Sequence, residues 1–559
     1  MKNGLKLGLL TVRRLLSDEE NRESNVIWER LMTDTDKLKR ILRDPRATRR
    51  EFMVGATALG LTATTATGLW TSAHAATPKK GGHAKFGLLG GNTSDSLDGA
   101  TYLDTVMICA ARACRDSLVE VGQDNTAQPG LAESWEASAD AKTWRFTLRS
   151  GVEFSNGKSL TTEDVINSVN THRGEDTKSG AKGVFSGIAD IKADGNVVEF
   201  TLADGNADFP FLLTDYHLNV VPTVDGKADV LSMHGTGLYQ LEEFDPGIRI
   251  AMKRAPNAWQ QDSFGYFDSA EIIVISDGTA RQNAILTQSV DVINRPDLRA
   301  MQVVERAPHL GVQDVPSNLM FTMPMRTDVK PFDDNNVRMA IKHGINRQEL
   351  LDKILFGYGS LGNDNPIGPG FKYHAPDIVQ NTYDPDKAKW YMQQAGVTSV
   401  DVPFHTSNTA FVGANDAAQL VASSLGEVGV NVNVIREPDD GYWSNVWNSK
   451  PWCNCYWGSR PVEDMILSIQ YLSDAPWNDS VSKDPRVDEL IIAARAELDE
   501  KKRGEQYREV QELVAGNFGN VVWAFGSDVA VVNKKIAYGA IGGGWEMDGG
   551  HALKRWWTA

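Results

Sequence analysis

One arginine, Arg460, lies in an unusually aromatic segment of the sequence, KPWCNCYWGSRPVED, residues 450–464. A run this rich in aromatic residues is typical of a protein core. A guanidinium in a core needs a partner, because an unpaired buried charge is costly. Three alternatives follow for this side chain: it pairs with Glu463 or Asp464, it points to solvent, or it faces a bound ligand.

The tryptophans around this segment could supply flat binding surfaces. Five of the chain's 15 tryptophans fall in this region: Trp443, Trp447, Trp452, Trp457 and Trp477. Aromatic faces pack on apolar ring surfaces and stack on arginine, although burial in the core is the alternative for each of them. Trp457 and Trp477 are favoured as ligand contacts, because polar, loop-like residues follow each of them.

Catalytic motifs are scarce in this chain. The sequence contains no G-x-S-x-G, no H-E-x-x-H and no G-x-x-x-x-G-K-[ST] pattern. The segment GYGSLG, residues 357–362, matches G-x-G-x-x-G, but it follows the helical pattern RQELLDKILF rather than a strand. We therefore expect no catalytic residues and no enzymatic activity.

The four cysteines and ten histidines give no clear metal site. Cys453 and Cys455 are one residue apart, but the histidines are scattered without paired spacing. These two cysteines could bond to each other in a strained small loop, or either could bridge to Cys109 or Cys114. We expect neither a metal nor a cofactor.

Length and composition describe an ordinary globular protein of several domains. The chain has 559 residues, 41% hydrophobic and 23% charged, which is too long for one typical domain. Its formal net charge of −16 argues against nucleic acid as a partner, because binding phosphates requires a basic face.

The N-terminal 75 residues have the pattern of an export signal. Arg49 and Arg50 precede Phe52 and a mild apolar run that ends in Ala73-His74-Ala75, a small-x-small cleavage pattern. We expect residues 1–75 to be a twin-arginine signal region that is removed, with Met32 as a candidate start of translation. No cysteine lies near the cleavage point, so we expect a soluble periplasmic protein without a lipid anchor. A buried N-terminal helix is the alternative.

Strand and helix signals alternate through the rest of the chain. TWRFTLRSGVEFSNG, residues 143–157, has strand alternation, and Thr161 with Asp164 predicts a helix start. In YDPDKAKWYMQQAG, Asp384 caps a helix that Gly396 ends. Residues 484–516 predict one or two helices. This interleaving indicates an α/β or α+β chain in several lobes.

These stretches, taken in order, resemble the extracytoplasmic solute-binding proteins of ABC transporters, specifically the dipeptide/oligopeptide/nickel-binding family (family 5). The resemblance rests on LAESWEASADAKTWRFTLRSGVEFSNGKSLTTEDVINSV, GTGLYQLEEFDPG, PFDDNNVRMAIKHGINRQELLDKILFGYG, YDPDKAKWYMQQAG and QLVASSLGEVGV. These pieces span nearly all of the chain after the signal region. The first and third are the most specific.

The resemblance implies a two-lobed periplasmic binding protein with a hinge and an extra subdomain. By similarity, lobe one combines 76–120, 232–314 and 516–559, the extra subdomain is 121–231, and lobe two is 315–515. A monomer would close around a small solute and deliver it to an ABC permease complex in the inner membrane. Closure requires only that the ligand bind the closed form more tightly. The alternatives are a protein that binds metal chelates or haem, or a ligand-sensing partner of a membrane receptor.

The resemblance also identifies candidate ligand-binding positions. Peptide-binding members have Trp-x-x-Asp where this chain has Trp457 and Arg460, and dipeptide binders have an arginine where this chain has Asn408. Position in the family pattern further implicates polar residues in the first loop, in a strand entering lobe two and beside Asn408; these are Asn92, Ser94, Asn318 and Thr409.

An arginine in place of the peptide-binding aspartate reverses the charge that would face the ligand. It would repel an ammonium group and attract a carboxylate or phosphate, which a guanidinium binds through two parallel hydrogen bonds. We therefore expect a neutral or anionic small solute, such as an opine-like, sugar-containing or N-blocked compound, rather than a free-amine peptide.

Overall fold

The structure is a computed structural model that describes residues 78–439, 441–475 and 477–559. The described residues all belong to one compact unit, Pro78–Ala559. The predicted signal region, its cleavage point and the predicted start at Met32 lie outside the described residues. Within the described part of the chain, no helix is both long and apolar enough to span a membrane.

By the lobe boundaries expected from the sequence, lobe one begins with a strand and a helix and is completed by segments from the middle and end of the chain. Its elements are β1 His83–Leu88, α1 Thr105–Cys114, β10 Tyr239–Asp245, β11 Arg249–Arg254, β12 Ser269–Val274, α5 Gly278–Leu286, β13 Val292–Asn294, α6 Met301–Arg306, β20 Ile536–Ala537, α15 Glu546–Gly549, α16 Ala552–Arg555 and β21 Trp557–Thr558. Two buried hydrophobic clusters form its core, one of them around α1 and β1.

The extra subdomain has its own sheet and core. Its elements are β2 Val119–Val121, β3 Ala127–Pro129, β4 Ala132–Ala137, β5 Thr143–Leu148, α2 Thr162–Asn170, α3 Lys182–Phe185, β6 Ile188–Asp194, β7 Val197–Leu202, α4 Phe209–Leu212, β8 Thr223–Val224 and β9 Lys227–Ala228. The four-stranded antiparallel sheet has the order β4-β5-β7-β6. Alternate side chains of β5 and β7 are buried in this core, as the strand pattern predicts.

Lobe two carries most of the long helices. Its elements are β14 Leu310–Pro324, α7 Asn335–Gly344, α8 Arg347–Ile354, β15 Gly359–Leu361, α9 Pro385–Gln394, β16 Val400–Thr406, α10 Ala414–Gly426, β17 Val430–Arg436, α11 Tyr442–Asn445, β18 Cys455–Trp457, α12 Glu463–Gln470, α13 Pro485–Ala496 and α14 Glu500–Asn517. Strand β19, Asn520–Asn533, follows α14 and pairs with β14. Two hydrophobic clusters form the core of this lobe.

Two long strands, β14 and β19, belong to a sheet that extends through both lobes. The sheet order is β10-β11-β12-β1-β13-β19-β14-β18, with β15 also on β19. The pairing of β14 with β19 is interrupted between Pro316 and Met320, where three residues of β14 leave the register. The hydroxyl of Ser317 donates to the Gly526 carbonyl at this break. Such a bulge bends a strand and redirects its side chains.

The sequence-predicted helix starts are confirmed. Asp384 accepts a hydrogen bond from the Lys387 amide at the start of α9, and Gly396 after this helix has a φ of 71°. Thr161 and Asp164 form a reciprocal capping box at the start of α2. Residues 484–516 form two helices, α13 and α14, because the chain turns at Glu497 and Asp499 caps the second helix.

The four cysteines are unpaired thiols, so the disulfides considered from the sequence are not formed. Cys109 and Cys114 are buried in lobe one, whereas Cys453 and Cys455 are buried in the two separate core clusters of lobe two. Burial raises the pKa of the Cys114 thiol to about 12, which keeps it protonated. No group of three or more histidine, cysteine, aspartate or glutamate side chains in the described ranges could hold a metal ion.

Candidate functional site

Arg460 lies in the loop between β18 and α12, where it is partly buried. Its Nη1 donates to the carbonyls of Gly458 and Ser459, at 3.1 Å each. Across the part of the chain that the structure describes, no carboxylate lies within ion-pair distance of this guanidinium. Burial lowers the pKa of Arg460, and the nearby Tyr216 and Asp215 only partly oppose that shift. Among the described residues, the guanidinium is thus a partly buried charge that hydrogen-bonds to neutral carbonyls and forms no ion pair.

The two acidic residues closest in sequence to Arg460 have other partners. Glu463 Oε1 accepts the Tyr373 amide at 2.7 Å. Both oxygens of Asp464 accept from Arg495 Nε at 3.0 Å. Internal neutralisation of Arg460 by either residue, one of the alternatives from the sequence, is therefore wrong for this structure.

Arg460 interacts electrostatically with Tyr216 and Asp215 of the extra subdomain. Burial and then the charge of Asp215 raise the pKa of Tyr216, whereas the positive charge of Arg460 acts to lower it. Asp215 is already engaged, because its carboxylate contacts His217 Nδ1 at 2.7 Å and accepts the His217 amide at 3.0 Å. Arg460 therefore lies near Tyr216 and Asp215 of the extra subdomain without forming an ion pair with Asp215.

The ring of Tyr216 also contacts an aromatic ring of lobe one, that of Trp545. The rings of Tyr216 and Trp545 are 5.6 Å apart at an interplanar angle of 40°. The indole Nε1 of Trp545 is buried and has no hydrogen-bond partner within the described residues. This donor, on a half-buried ring, is free to meet an acceptor on a ligand.

Asn318 supports the loop that carries Arg460. It lies in the β14 bulge and donates from Nδ2 to the Arg460 carbonyl at 2.9 Å. Its Oδ1 is buried without a partner in the described ranges. A Cβ on Gly370 would clash with this Oδ1, so only glycine fits beside it. Asn318 is therefore placed to orient the backbone of the Arg460 loop.

Asn125 connects this group back to the extra subdomain. Its Nδ2 donates to the Gly370 carbonyl at 3.3 Å, and its buried Oδ1 has no partner among the described residues. The amide oxygen also lies near Gly544, the neighbour of Trp545. We call this group of residues the cleft ring, in which hydrogen bonds, ring contact and, between Arg460 and Tyr216, an electrostatic interaction connect the members; these are Tyr216, Trp545, Asn125, Gly370, Asn318 and Arg460.

Trp447 and Trp457 belong to the core of lobe two. The buried carboxylate of Asp479 accepts from Trp447 Nε1 at 3.1 Å and from Trp457 Nε1 at 3.3 Å. Trp457 is consequently only 5% exposed. Trp477, in contrast, is 47% exposed, with its ring centroid 5.9 Å from that of Trp457. Of these two predicted ligand contacts, only Trp477 presents a large exposed face.

The remaining predicted site residues lie in exposed or half-exposed loops. Asn408 Oδ1 accepts the Asn415 amide at 3.2 Å, and Thr409 Oγ1 donates to the Asp439 carbonyl at 3.4 Å. In lobe one, Asn92 Oδ1 accepts both the amide and the hydroxyl of Ser94. The eight candidates thus fall into four pairs. Asn318 is hydrogen-bonded to Arg460, and Ser94 to Asn92. The rings of Trp457 and Trp477 are in contact, and Asn408 and Thr409 are adjacent in sequence.

Sequence reasoning missed Tyr216, Trp545 and Asn125. The segments DYHLN and GGGWEMDGG carry an aromatic residue beside polar or glycine-rich neighbours, which is the same weak signal that favoured Trp477. Asn125 lies in the turn between β2 and β3 with a φ of 59°, a conformation that asparagine tolerates. No spacing pattern relates these three residues to Arg460.

Comparison with known proteins gives consistent matches. The dipeptide-binding protein of Escherichia coli is 24% identical over 73% of this chain and 82% of its own length. HbpA2 from Haemophilus parasuis has a TM-score of 0.73 at 18% identity, covering 83% of this chain and 99% of that one. AgaA from A. tumefaciens R10, solved in complex with agropinic acid, has a TM-score of 0.67 at 20% identity, covering 86% and 99%.

The solved structures are two-lobed binding proteins, and this chain has the same mixed α/β, two-lobed fold. A family model described as bacterial extracellular solute-binding proteins, family 5, matches residues 126–479, which is more than half of the chain. The chain belongs to the family 5 bacterial extracellular solute-binding proteins.

Proposed function

We propose that this protein is the periplasmic solute-binding component of an ABC importer and that its ligand carries an anionic group bound by Arg460. The protein, exported by the twin-arginine route, would act as a soluble monomer. It would close around a small solute and deliver that solute to the permease complex in the inner membrane. No nucleic acid is involved, and the protein performs no chemistry on its cargo.

The observation that carries the ligand assignment is the partly buried guanidinium of Arg460, which has no carboxylate partner among the described residues. A carboxylate or phosphate on the ligand would neutralise this charge through two parallel hydrogen bonds. A ligand ammonium group would instead meet a like charge in a partly buried site, which is unfavourable. The ligand class is therefore anionic, and a free-amine peptide is a poor fit at this position.

The other members of the cleft ring define the rest of the ligand. Asn125 and Asn318 each offer an unpaired amide oxygen, which accepts from ligand hydroxyl or N–H groups. Trp545 offers an unpaired N–H, and the Tyr216 and Trp545 rings offer flat faces. An opine-like, sugar-containing or N-blocked acid meets these requirements. The complex of AgaA with agropinic acid supports such a class for a protein of this fold.

A matched pair of probes tests the assignment. Calorimetry would compare Ala-Ala with N-acetyl-Ala-Ala on protein stripped of cargo by unfolding and refolding, with agropinic acid as a third probe. The two peptides share a carboxylate and differ in the ammonium group. We expect the N-blocked and opine probes to bind better than Ala-Ala.

The Arg460→Met variant should weaken binding of the anionic probes by about 1.5–3 kcal/mol, the size of a charge-assisted hydrogen bond. Arg299→Met is the control, because Arg299 is exposed and forms an ion pair with its neighbour Asp297. Tight Ala-Ala binding that survives Arg460→Met would contradict the assignment.

A further inference from the structure

The extra subdomain and lobe two meet a second time, at residues outside the cleft ring. Asp208, just before α4, pairs with Arg503 of α14, and both side chains are less than 10% exposed. Arg503 Nη1 donates to Asp208 Oδ1 at 2.8 Å, while Nη2 donates to Oδ2. The contact is therefore a bidentate ion pair between two separately folded parts of the chain.

The backbone also connects the two sides at this place. The amide of Ala207 donates to the carbonyl of Arg495, at the end of α13, at 2.7 Å. A Cβ on Gly205 would lie 3.2 Å from the Ala496 Cβ and would clash with the Asp140 carbonyl oxygen. Glycine at 205 thus lets the subdomain loop approach lobe two closely.

Arg503 is held in place by its own lobe before it meets Asp208. Its guanidinium lies 5.5 Å from the centre of the Tyr373 ring and 5.4 Å from that of Tyr507, and it donates to the Tyr507 hydroxyl. A side chain fixed in this way loses little conformational freedom when the carboxylate arrives. The pair should therefore favour approach of the two sides rather than merely break even against desolvation.

The same part of lobe two connects this contact to the ligand loop. Arg495, whose carbonyl accepts the Ala207 amide, binds Asp464 and Ser468 through its side chain. Asp464 lies in the first turn of α12, which begins three residues after Arg460. Side-chain contacts between α12 and α13 thus connect the subdomain contact with the loop that carries Arg460.

We propose that Asp208 and Arg503 form an interlobe clasp, a pair of positioning residues that favours the closed arrangement and raises ligand affinity without contacting the ligand. The clasp rests on the closing role of the proposed function, but it does not depend on the ligand class. It operates in the ligand-free protein, where it increases the closed population.

The test uses cargo-stripped protein, so no probe ligand is needed. Hydrogen exchange of the Ala207 amide and the radius of gyration from small-angle scattering would be measured for wild type, Asp208→Asn and Arg503→Gln. Both variants should accelerate exchange at Ala207 at least tenfold and increase the radius of gyration. Arg503→Lys keeps the charge but loses the bidentate geometry, so its effect should be smaller.

The matched control is Asp364→Asn, which disrupts the buried pair of Asp364 with Arg347 inside lobe two. It should lower the thermal midpoint and leave the radius of gyration and Ala207 exchange unchanged. Asp208→Asn and Arg503→Gln should show the opposite pattern: they should change the radius of gyration and Ala207 exchange and leave the thermal midpoint unchanged. The clasp is overturned if they behave like the control, or if the Ala207 amide already exchanges freely in wild type. Failure of the anionic-ligand assignment would leave all these results unaffected.

Discussion

Two arginines of lobe two lie where that lobe faces the rest of the molecule, and they differ in what neutralises them. For Arg503, burial acts to lower the pKa, but the charge and hydrogen bonds of Asp208 raise it well above its usual value. For Arg460, burial lowers the pKa, and Tyr216 and Asp215 only partly oppose that shift. Within the described residues, Arg503 has a carboxylate partner, whereas the partners of Arg460 are backbone carbonyls.

This difference separates the two tasks of a closing binding protein. A charge that the fold itself neutralises can contribute to closure whether or not ligand is present. A charge that the fold leaves unpaired favours closure only when a ligand supplies the opposite charge, because a ligand shifts the equilibrium by its differential affinity. Selectivity is therefore expected at Arg460, and an intrinsic bias toward closure is expected at Arg503.

The largest expected effect is a reversal of ligand preference. Arg460→Asp restores the aspartate of the peptide-binding pattern. The ligand ammonium group that Arg460 repels would be attracted by the aspartate. The preference between Ala-Ala and N-acetyl-Ala-Ala should change by about 3–6 kcal/mol, the sum of two charge-assisted interactions. Calorimetry with both probes measures it, and an unchanged preference would show that position 460 does not contact the ligand.

The next largest effect is on closure, when one residue of the clasp is removed and the other remains charged. Arg503→Leu leaves the Asp208 carboxylate buried and unpaired, which should disfavour closure by on the order of 3–5 kcal/mol. The double variant Asp208→Leu/Arg503→Leu should recover part of this loss, since two apolar groups carry no unpaired charge. Exchange of the Ala207 amide reports both; a double variant as open as the single one would contradict the explanation.

A pH effect follows from Glu463, whose neighbours include the clasp. Burial first, and then the charge of Asp208, raise the pKa of Glu463 to about 7, although the Tyr373 amide and Arg503 act to lower it. The folded state thus binds this proton more tightly than the unfolded state. The contribution of this proton to the free energy of unfolding is therefore fully present below about pH 4.5, and it is lost as the pH rises through about 7.

Urea unfolding at pH 5 and pH 7.5 would detect this loss, which is roughly 2–3 kcal/mol at most. Glu463→Gln should remove that part of the pH dependence while keeping an oxygen for the Tyr373 amide. A pH dependence identical to wild type in this variant would exclude Glu463 as its source.

The smallest expected effect is on the stability of the cargo-free protein. Arg460→Met removes a partly buried charge that no carboxylate contacts, so the free energy of unfolding should stay the same or rise by up to about 1 kcal/mol. Chemical denaturation measures it. A clear loss of stability would mean that the Arg460 guanidinium has a structural partner.

Local elements of the fold could be predicted from sequence, because their signals are local. Asp384 and Gly396 bracket one helix, and Thr161 with Asp164 begin another, at the predicted positions. The inward direction of Trp457 could not be predicted, since it depends on Asp479, a carboxylate 22 positions away that accepts its indole N–H. Proximity of polar loop residues in sequence was a misleading guide to its exposure.

The members of the cleft ring could likewise be predicted only in part from the sequence. Arg460 was predicted from the chemistry of its neighbours, and Asn318 from its position in the family pattern; both stay predictions. Tyr216 and Trp545 come from segments far apart in sequence, and only the fold brings their rings within 5.6 Å. Such long-range pairs leave no periodicity or spacing that a single sequence reveals.

The most direct test of the ligand account is a crystal structure of the protein with the cargo that copurifies from its native host. We predict a carboxylate or phosphate of the cargo bound to both terminal nitrogens of Arg460. An ammonium group at this position, or a cargo that makes no polar contact with the guanidinium, would contradict the account.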